Sequence, residues 1–149
     1  MNESLPLEKE LAPLFLQKLP AFPPELKEGI AKYGPYVVLV LALIAVIGLL
    51  GLLGLTAGVS VFATGSIVSV IGLLLSLVVV LLEIMAFSPL QKRQRRGWNL
   101  LYYAGLISTV SAILTSVLAM PYGFGGLIAA AIGFFIQFWI LFQIREKYT

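Results

Sequence analysis

The chain contains no cysteine and no histidine, and no aspartate. Without thiols there is no disulfide, thiolate nucleophile or redox pair. Without histidine and aspartate it lacks the usual general base, the commonest metal ligand and most carboxylate dyads. A non-enzymatic protein is therefore expected, with no cofactor and no metal. Charge is scarce as well. Only 11% of the 149 residues are charged, whereas a soluble domain carries roughly a quarter. The net charge of +3 comes from one short segment and the C-terminal tail, where membrane topology and anionic headgroups already account for it. Nucleic acid is not an expected partner.

What is abundant is apolar surface, with 60% of residues hydrophobic. Long apolar runs occupy roughly 35–55, 64–88, 98–119 and 124–144, each about the 20 residues that a ~30 Å hydrocarbon core requires. Backbone groups in lipid must be satisfied within the segment, so the runs are expected to be helices. They are continuous rather than alternating, which excludes the β-barrel pattern. The first run is too long and starts too late for a cleavable signal. The expected fold is all-α: an integral membrane four-helix bundle, made of two helical hairpins over 35–149, with an amphipathic arm over 1–34.

The placement of Lys and Arg orients this bundle. The junctions 56–63 and 120–124 carry no charge, while the middle junction holds Lys92, Arg93, Arg95 and Arg96. Lys9, Lys18, Lys27 and Lys32 precede the first span, and Arg145 and Lys147 follow the last. The positive-inside rule puts both terminal segments and the middle loop in the cytoplasm. Lys92, Arg93, Arg95 and Arg96 are then expected to face anionic lipid headgroups.

In the arm, Pro6, Pro13 and Pro20 interrupt any long helix. Short pieces remain possible. Leu7, Leu11, Leu14 and Phe15 share one face, and a second piece over 24–33 starts with proline in its first turn. Both suit the headgroup plane. Gly34-Pro35 is read as the turn into the bilayer and Pro89 as the end of the second span. Trp98, Tyr102, Tyr103, Trp139 and Tyr148 form an expected interfacial belt.

Small residues recur at 4-3-4 spacing. They are Gly65, Ser69, Gly72 and Ser76 in the second span, Ala104, Ser108, Ser111 and Thr115 in the third, and Gly126, Ala130 and Gly133, continuing to Gln137, in the fourth. These faces are expected to be packing seams, because lipid supplies no hydrophobic drive between helices. Substitution of Gly72 or Gly133 by leucine is expected to separate helices, and an exposed seam suits a homo-oligomer. Glu83 is the one acid within a span. It follows Gly65 by five whole helical turns, so it shares the small-residue face. An intramembrane acid is a functional candidate by default. It is expected in a polar cluster with Gln137 and Tyr102 or Tyr103, or in an ion pair with Lys92 or Arg93.

Two functions fit: an accessory, assembly or interaction module within a larger membrane complex, or a small oligomeric transporter or channel using Glu83 for proton or ion coupling. The segment Lys92-Arg93-Gln94-Arg95-Arg96-Gly97-Trp98-Asn99-Leu100-Leu101-Tyr102-Tyr103, with Phe142-Gln143-Ile144-Arg145-Glu146-Lys147-Tyr148, resembles small bacterial membrane proteins with no established activity. The resemblance implies a prokaryotic four-span module of the cytoplasmic membrane. In architecture alone the chain is similar to small multidrug transporters, which also have four spans and a membrane glutamate. Here the acid lies in the second span instead of the first.

Overall fold

A computed structural model describes residues 5–51, 67–118 and 124–149, with the side chains of 67–69 and 118 excepted. Junction residues 56–63 and 120–123, Gly65 and the side chain of Ser69 lie outside the described residues. The protein is all-α: helices α1 (Glu8–Gln17), α2 (Pro24–Leu50), α3 (Ile67–Gln91), α4 (Arg95–Leu118) and α5 (Gly125–Gln143), then a 3₁₀ turn at Arg145–Lys147. Helices α2 to α5 are long and apolar enough to cross a membrane, and no more than 28% of any spanning window is buried. Most of their surface is therefore left for lipid, as an integral membrane bundle requires.

Helix α1 starts where Leu7 takes a left-handed backbone (φ 59°). The Glu8 carboxylate accepts a bond from the Leu5 N–H at 2.8 Å, and the first-turn acids Glu8 and Glu10 suit the positive end of the helix dipole. Pro24 opens α2 at a position that needs no backbone donor. The expected turn at Gly34-Pro35 does not form. Helix α2 runs unbroken through Pro35, so the second arm piece and the first span are one element. Proline removes one helical bond, and the loss is tolerated in spans where neighbours satisfy the freed groups. Ala31, Pro35 and Ala42 form the buried stripe of α2. Likewise α3 continues two residues past Pro89.

The most extensive packing joins α3 to α4, with α2 laid on α3 and α5 on α4. The central pair thus belongs to different expected hairpins. Helix α1 lies on α5. No comparable contact joins α2 to α5 among the described residues, so the first and last spans leave the bundle open along one side. The core lies at the charged end, where Phe15, Leu90, Trp98, Tyr102, Phe138, Phe142 and Tyr148 are buried together. Trp98, Tyr102 and Tyr148 are thus core residues rather than an interfacial belt.

The small-residue seams depart from the expectation at Gly72 and Gly133. A Cβ at Gly72 or Gly133 would meet nothing within 4 Å, and Gly133 is exposed. Ser76 donates to the Gly72 carbonyl at 2.8 Å, Ser108 to Gly105 at 3.0 Å and Thr115 to Ser111 at 2.8 Å. These hydroxyls serve their own helices instead of bridging to neighbours. Ala104 is buried as expected. True close approaches occur at Gly126, whose Cβ would lie 2.9 Å from Ser116 Oγ, and at Gly105, 3.0 Å from Gln137 Nε2. Helix α5 packs mainly through Phe134, Phe138 and Phe142. Flat rings supply more contact area than the alternating small positions Ala130 and Gly133.

Candidate functional site

The open side of the bundle is a groove of about 760 Å³. Helix α2 forms one wall from Glu25 to Leu41, α5 with its C-cap Ile144 the other through Gln137, Ile140 and Leu141, and Leu90, Leu101, Ser108 and Glu83 also line it. At about 1.5 Å per residue, the α2 wall is roughly 24 Å long. A second cavity of about 440 Å³, lined by Ala45, Ser76, Val79, Val80, Ser111 and Ala112, shares Leu41, Glu83 and Ser108 with the first. Glu83 thus stands where the two spaces meet. It lies eight residues before the end of α3 at Gln91, about 12 Å along the axis.

Glu83 is half-buried. Among the described residues it makes no hydrogen bond and no ion pair. Gln137 makes no hydrogen bond to Glu83 but lines the same groove. The two tyrosines do not. Tyr102 is fully buried in the core, stacked on Trp98 at 5.3 Å, and its hydroxyl donates to the Pro6 carbonyl at 2.6 Å. Tyr103 is exposed and does not line the groove. Ser108 lines both spaces together with Glu83. Its 3-4 spacing from Ala104 and Ser111 signalled packing; its role at the groove depends on which helices stay apart.

The expected pairing of Glu83 with Lys92 or Arg93 is also absent, because the loop cations turn elsewhere. Arg93, with a left-handed backbone (φ 54°), pairs with Glu28, and Lys147 approaches the same carboxylate at 3.4 Å. This hydrogen-bonded carboxylate raises the Arg93 pKa above its ordinary value. Arg95 contacts Glu8 at 2.8 Å and Arg145 pairs with the same acid. Arg95 also lies 4.1 Å over the Trp98 ring, an attractive cation–π geometry. Lys27 meets Glu146 at 3.0 Å. Of the four loop cations expected at headgroups, Arg93 and Arg95 are instead paired with the N-terminal helices. Lys92 and Arg96 remain exposed.

These pairs form a clasp that holds α1 against the charged end. Gln143, 2% exposed, accepts from the Phe22 N–H at 3.0 Å and donates to the Phe15 and Pro20 carbonyls. Arg95 N–H donates to the Thr149 carbonyl at 2.9 Å, and Thr149 N–H donates to the Arg93 carbonyl at 3.1 Å. Burial raises the Tyr148 pKa above its ordinary value, so this phenol stays neutral. The clasp is built on Glu8 and Glu28, whose partners lie far along the chain. Its chemistry is structural: every charge in it has a partner. The groove has the opposite character, with an acid that has none among the described residues. No family model, no curated protein and no solved structure matches the chain.

Proposed function

We propose that the protein is a non-enzymatic interaction module of a bacterial cytoplasmic membrane, and that the groove between α2 and α5 receives an apolar occupant from the bilayer. The observation that carries this reading is the open side itself. Two spans stand apart over a groove of about 760 Å³, within the ~300–1,000 Å³ range of small-molecule sites. Its lining is aliphatic apart from a few convergent polar groups, which is the usual makeup of such sites. The lack of histidine, cysteine and aspartate supports a binding role over catalysis. If the protein is purified in mild detergent and analysed by native mass spectrometry, wild type should retain a small bound molecule. Val38→Trp, which fills the groove, should lose it. Identical spectra for the two proteins overturn the reading. A stoichiometric membrane protein in place of the small molecule would instead make the chain an accessory subunit.

Both terminal segments and the 92–94 loop lie on the cytoplasmic side in this proposal. The argument is the positive-inside rule, and the clasp supports it, because residues from all three segments pair with one another. A single cysteine placed at Gln94 should resist membrane-impermeant maleimide in intact cells and react after permeabilisation. Labelling in intact cells would reverse the orientation. The remaining basic residues Lys92 and Arg96 then contact anionic headgroups. Glu83 favours a second reading, a small oligomeric transporter with proton or ion coupling, because it opens onto both cavities. Flux in liposomes that disappears in Glu83→Gln would establish it.

A further inference from the structure

We infer that the clasp holds a binding site for a phosphate monoester, in a cavity beside the docked arm that Lys27, Arg95 and Arg145 line together. This site is not the groove. The two linings share only Tyr148, and the clasp site stands whatever the groove holds.

The clasp is short of negative charge. Among the described residues its ion pairs join five cations, Lys27, Arg93, Arg95, Arg145 and Lys147, to three carboxylates, Glu8, Glu28 and Glu146. Every cation has a partner, but two of the partners are shared. At Glu8 the sharing falls on one atom. Arg95 and Arg145 both contact its Oε1, while Oε2 accepts from the Leu5 N–H. The same two guanidinium groups lie 4.1 and 5.7 Å from the centre of the Trp98 ring. They are thus held side by side, and like charges so placed repel. Acceptors are short as well. Arg145 Nε is buried with no hydrogen-bond partner among the described residues, whereas buried donors are ordinarily paired.

This surplus borders a cavity of about 320 Å³, lined by Lys27, Arg95, Arg145, Glu146 and, from α1, Leu16. Glu8 does not line it, being only 3% exposed. The side chains of Arg95 and Arg145 keep 31% and 38% of their surface open, so pairing with Glu8 does not seal them off. Gln143 also lines the space, but both ends of its carboxamide are committed to the arm backbone. Glu146 is the one acid in the lining, and it is paired with Lys27 and 61% exposed. An anion entering the cavity therefore meets three cations and one solvated carboxylate.

The donors present select the anion. Arginine offers a planar fork that matches phosphate oxygens two at a time, and lysine adds a compact charge. A phosphate monoester carries about −1.5 to −2 charge near neutral pH and three strong acceptor oxygens, which matches the surplus of two cations over the carboxylates of the clasp. A carboxylate or a phosphodiester brings a single charge and leaves part of that surplus uncovered. The group can arrive on a lipid with a terminal phosphate or on a soluble molecule. Helix α1 supplies Leu16 to the lining and Glu8 to the two arginines, so the site is complete only while the arm is docked. A ligand that binds the docked form alone stabilises docking.

The test uses the full-length protein in phosphatidylcholine nanodiscs, whose two faces are both open to solution, and follows hydrogen exchange of amides 8–17. Phosphatidic acid and inorganic phosphate supply the dianionic group from the two sources. Phosphatidylglycerol, a phosphodiester, and chloride are their controls at matched charge and ionic strength. At about ten times its dissociation constant, a ligand of the docked form slows exchange through undocking about ten-fold. That slowing is expected with phosphatidic acid, with inorganic phosphate or with both, and the one that acts identifies the source. No slowing by either, or equal slowing by the matching control, overturns the inference. Lys27→Gln should remove the effect, and Lys92→Gln, the same charge change at an exposed position outside the cavity, should preserve it. Equal loss in the two variants also overturns the inference, because general attraction to anions would then suffice. Melting temperature in the same nanodiscs reports whether each variant is folded. Should Lys27→Gln be unfolded, Arg145→Lys, which keeps a charge beside Glu8 and loses the planar fork, is expected to weaken the slowing, and an unchanged effect there overturns the inference.

Discussion

Gly97→Ala is expected to lower the melting temperature in detergent more than any other single-methyl change in the spans. A Cβ on Gly97 would lie 2.6 Å from the Leu90 backbone nitrogen and 2.9 Å from the Pro89 carbonyl carbon. Neither atom belongs to a flexible side chain, so relief requires moving the turn that joins α3 to α4. Overpacking a tight site costs about 1–3 kcal/mol, and rigid neighbours put Gly97 at the upper end of that range. The same turn carries Arg93 and Arg95, whose pairs hold the arm, so the damage should spread to α1. Gly133→Leu is the comparison. A Cβ there meets nothing within 4 Å, and its melting temperature should match wild type. Thermal unfolding followed by size-exclusion chromatography distinguishes the two, and equal melting temperatures for all three proteins would remove Gly97 from this role.

Phe15→Ala should release α1 while leaving the bundle folded. The Phe15 ring is fully buried and lies 5.7–6.3 Å from the rings of Phe134, Phe135, Phe138 and Phe142. Truncating a buried phenylalanine costs about 3–5 kcal/mol. The loss falls on the docking of one short helix, because α3 and α4 do not depend on that ring. Hydrogen exchange is the direct measurement. Amides of 8–17 should exchange at least ~100-fold faster, as a loss near 3 kcal/mol implies, while those of 80–90 stay protected. Leu16→Ala, at a position 42% exposed, should change neither. If α1 stays protected without the Phe15 ring, the ion pairs of Glu8 hold the arm by themselves.

The membrane bundle was legible because its signals are local. A continuous apolar run predicts a span wherever it falls, and the cluster from Lys92 to Arg96 marks a boundary that α3 and α4 respect within a few residues. Pro35 misled for the same reason. Proline disfavours a helix interior locally, yet here it is buried within one, and its surroundings decide. Glu8 is a starker case. Its partners lie 87 residues away at Arg95 and further still at Arg145, and no local pattern distinguishes it from the solvated Glu10. The small-residue seams misled because spacing says which residues share a face and not which face meets a neighbour. The row Phe134, Phe138 and Phe142 has helical spacing too, and aromatic contact area prevailed. Glu83 and Gln137 could be singled out from their depth and polarity. The groove that joins them could not, since it arises from α2 and α5 failing to close, a property of how four helices choose partners.

The docking of α1 on α5 sets an order of events during synthesis. Phe15 is made more than a hundred residues before its receiving rings at Phe134 to Phe142. At ~5–20 residues per second, the arm waits roughly 6–25 s before its site exists. Throughout that interval an apolar face with Phe15 at its centre is uncovered beside the membrane, and headgroups are the surface at hand to shelter it. The nascent chain therefore passes through a stage in which its N-terminal helix belongs to the lipid, and maturation is the transfer of that helix from lipid to protein.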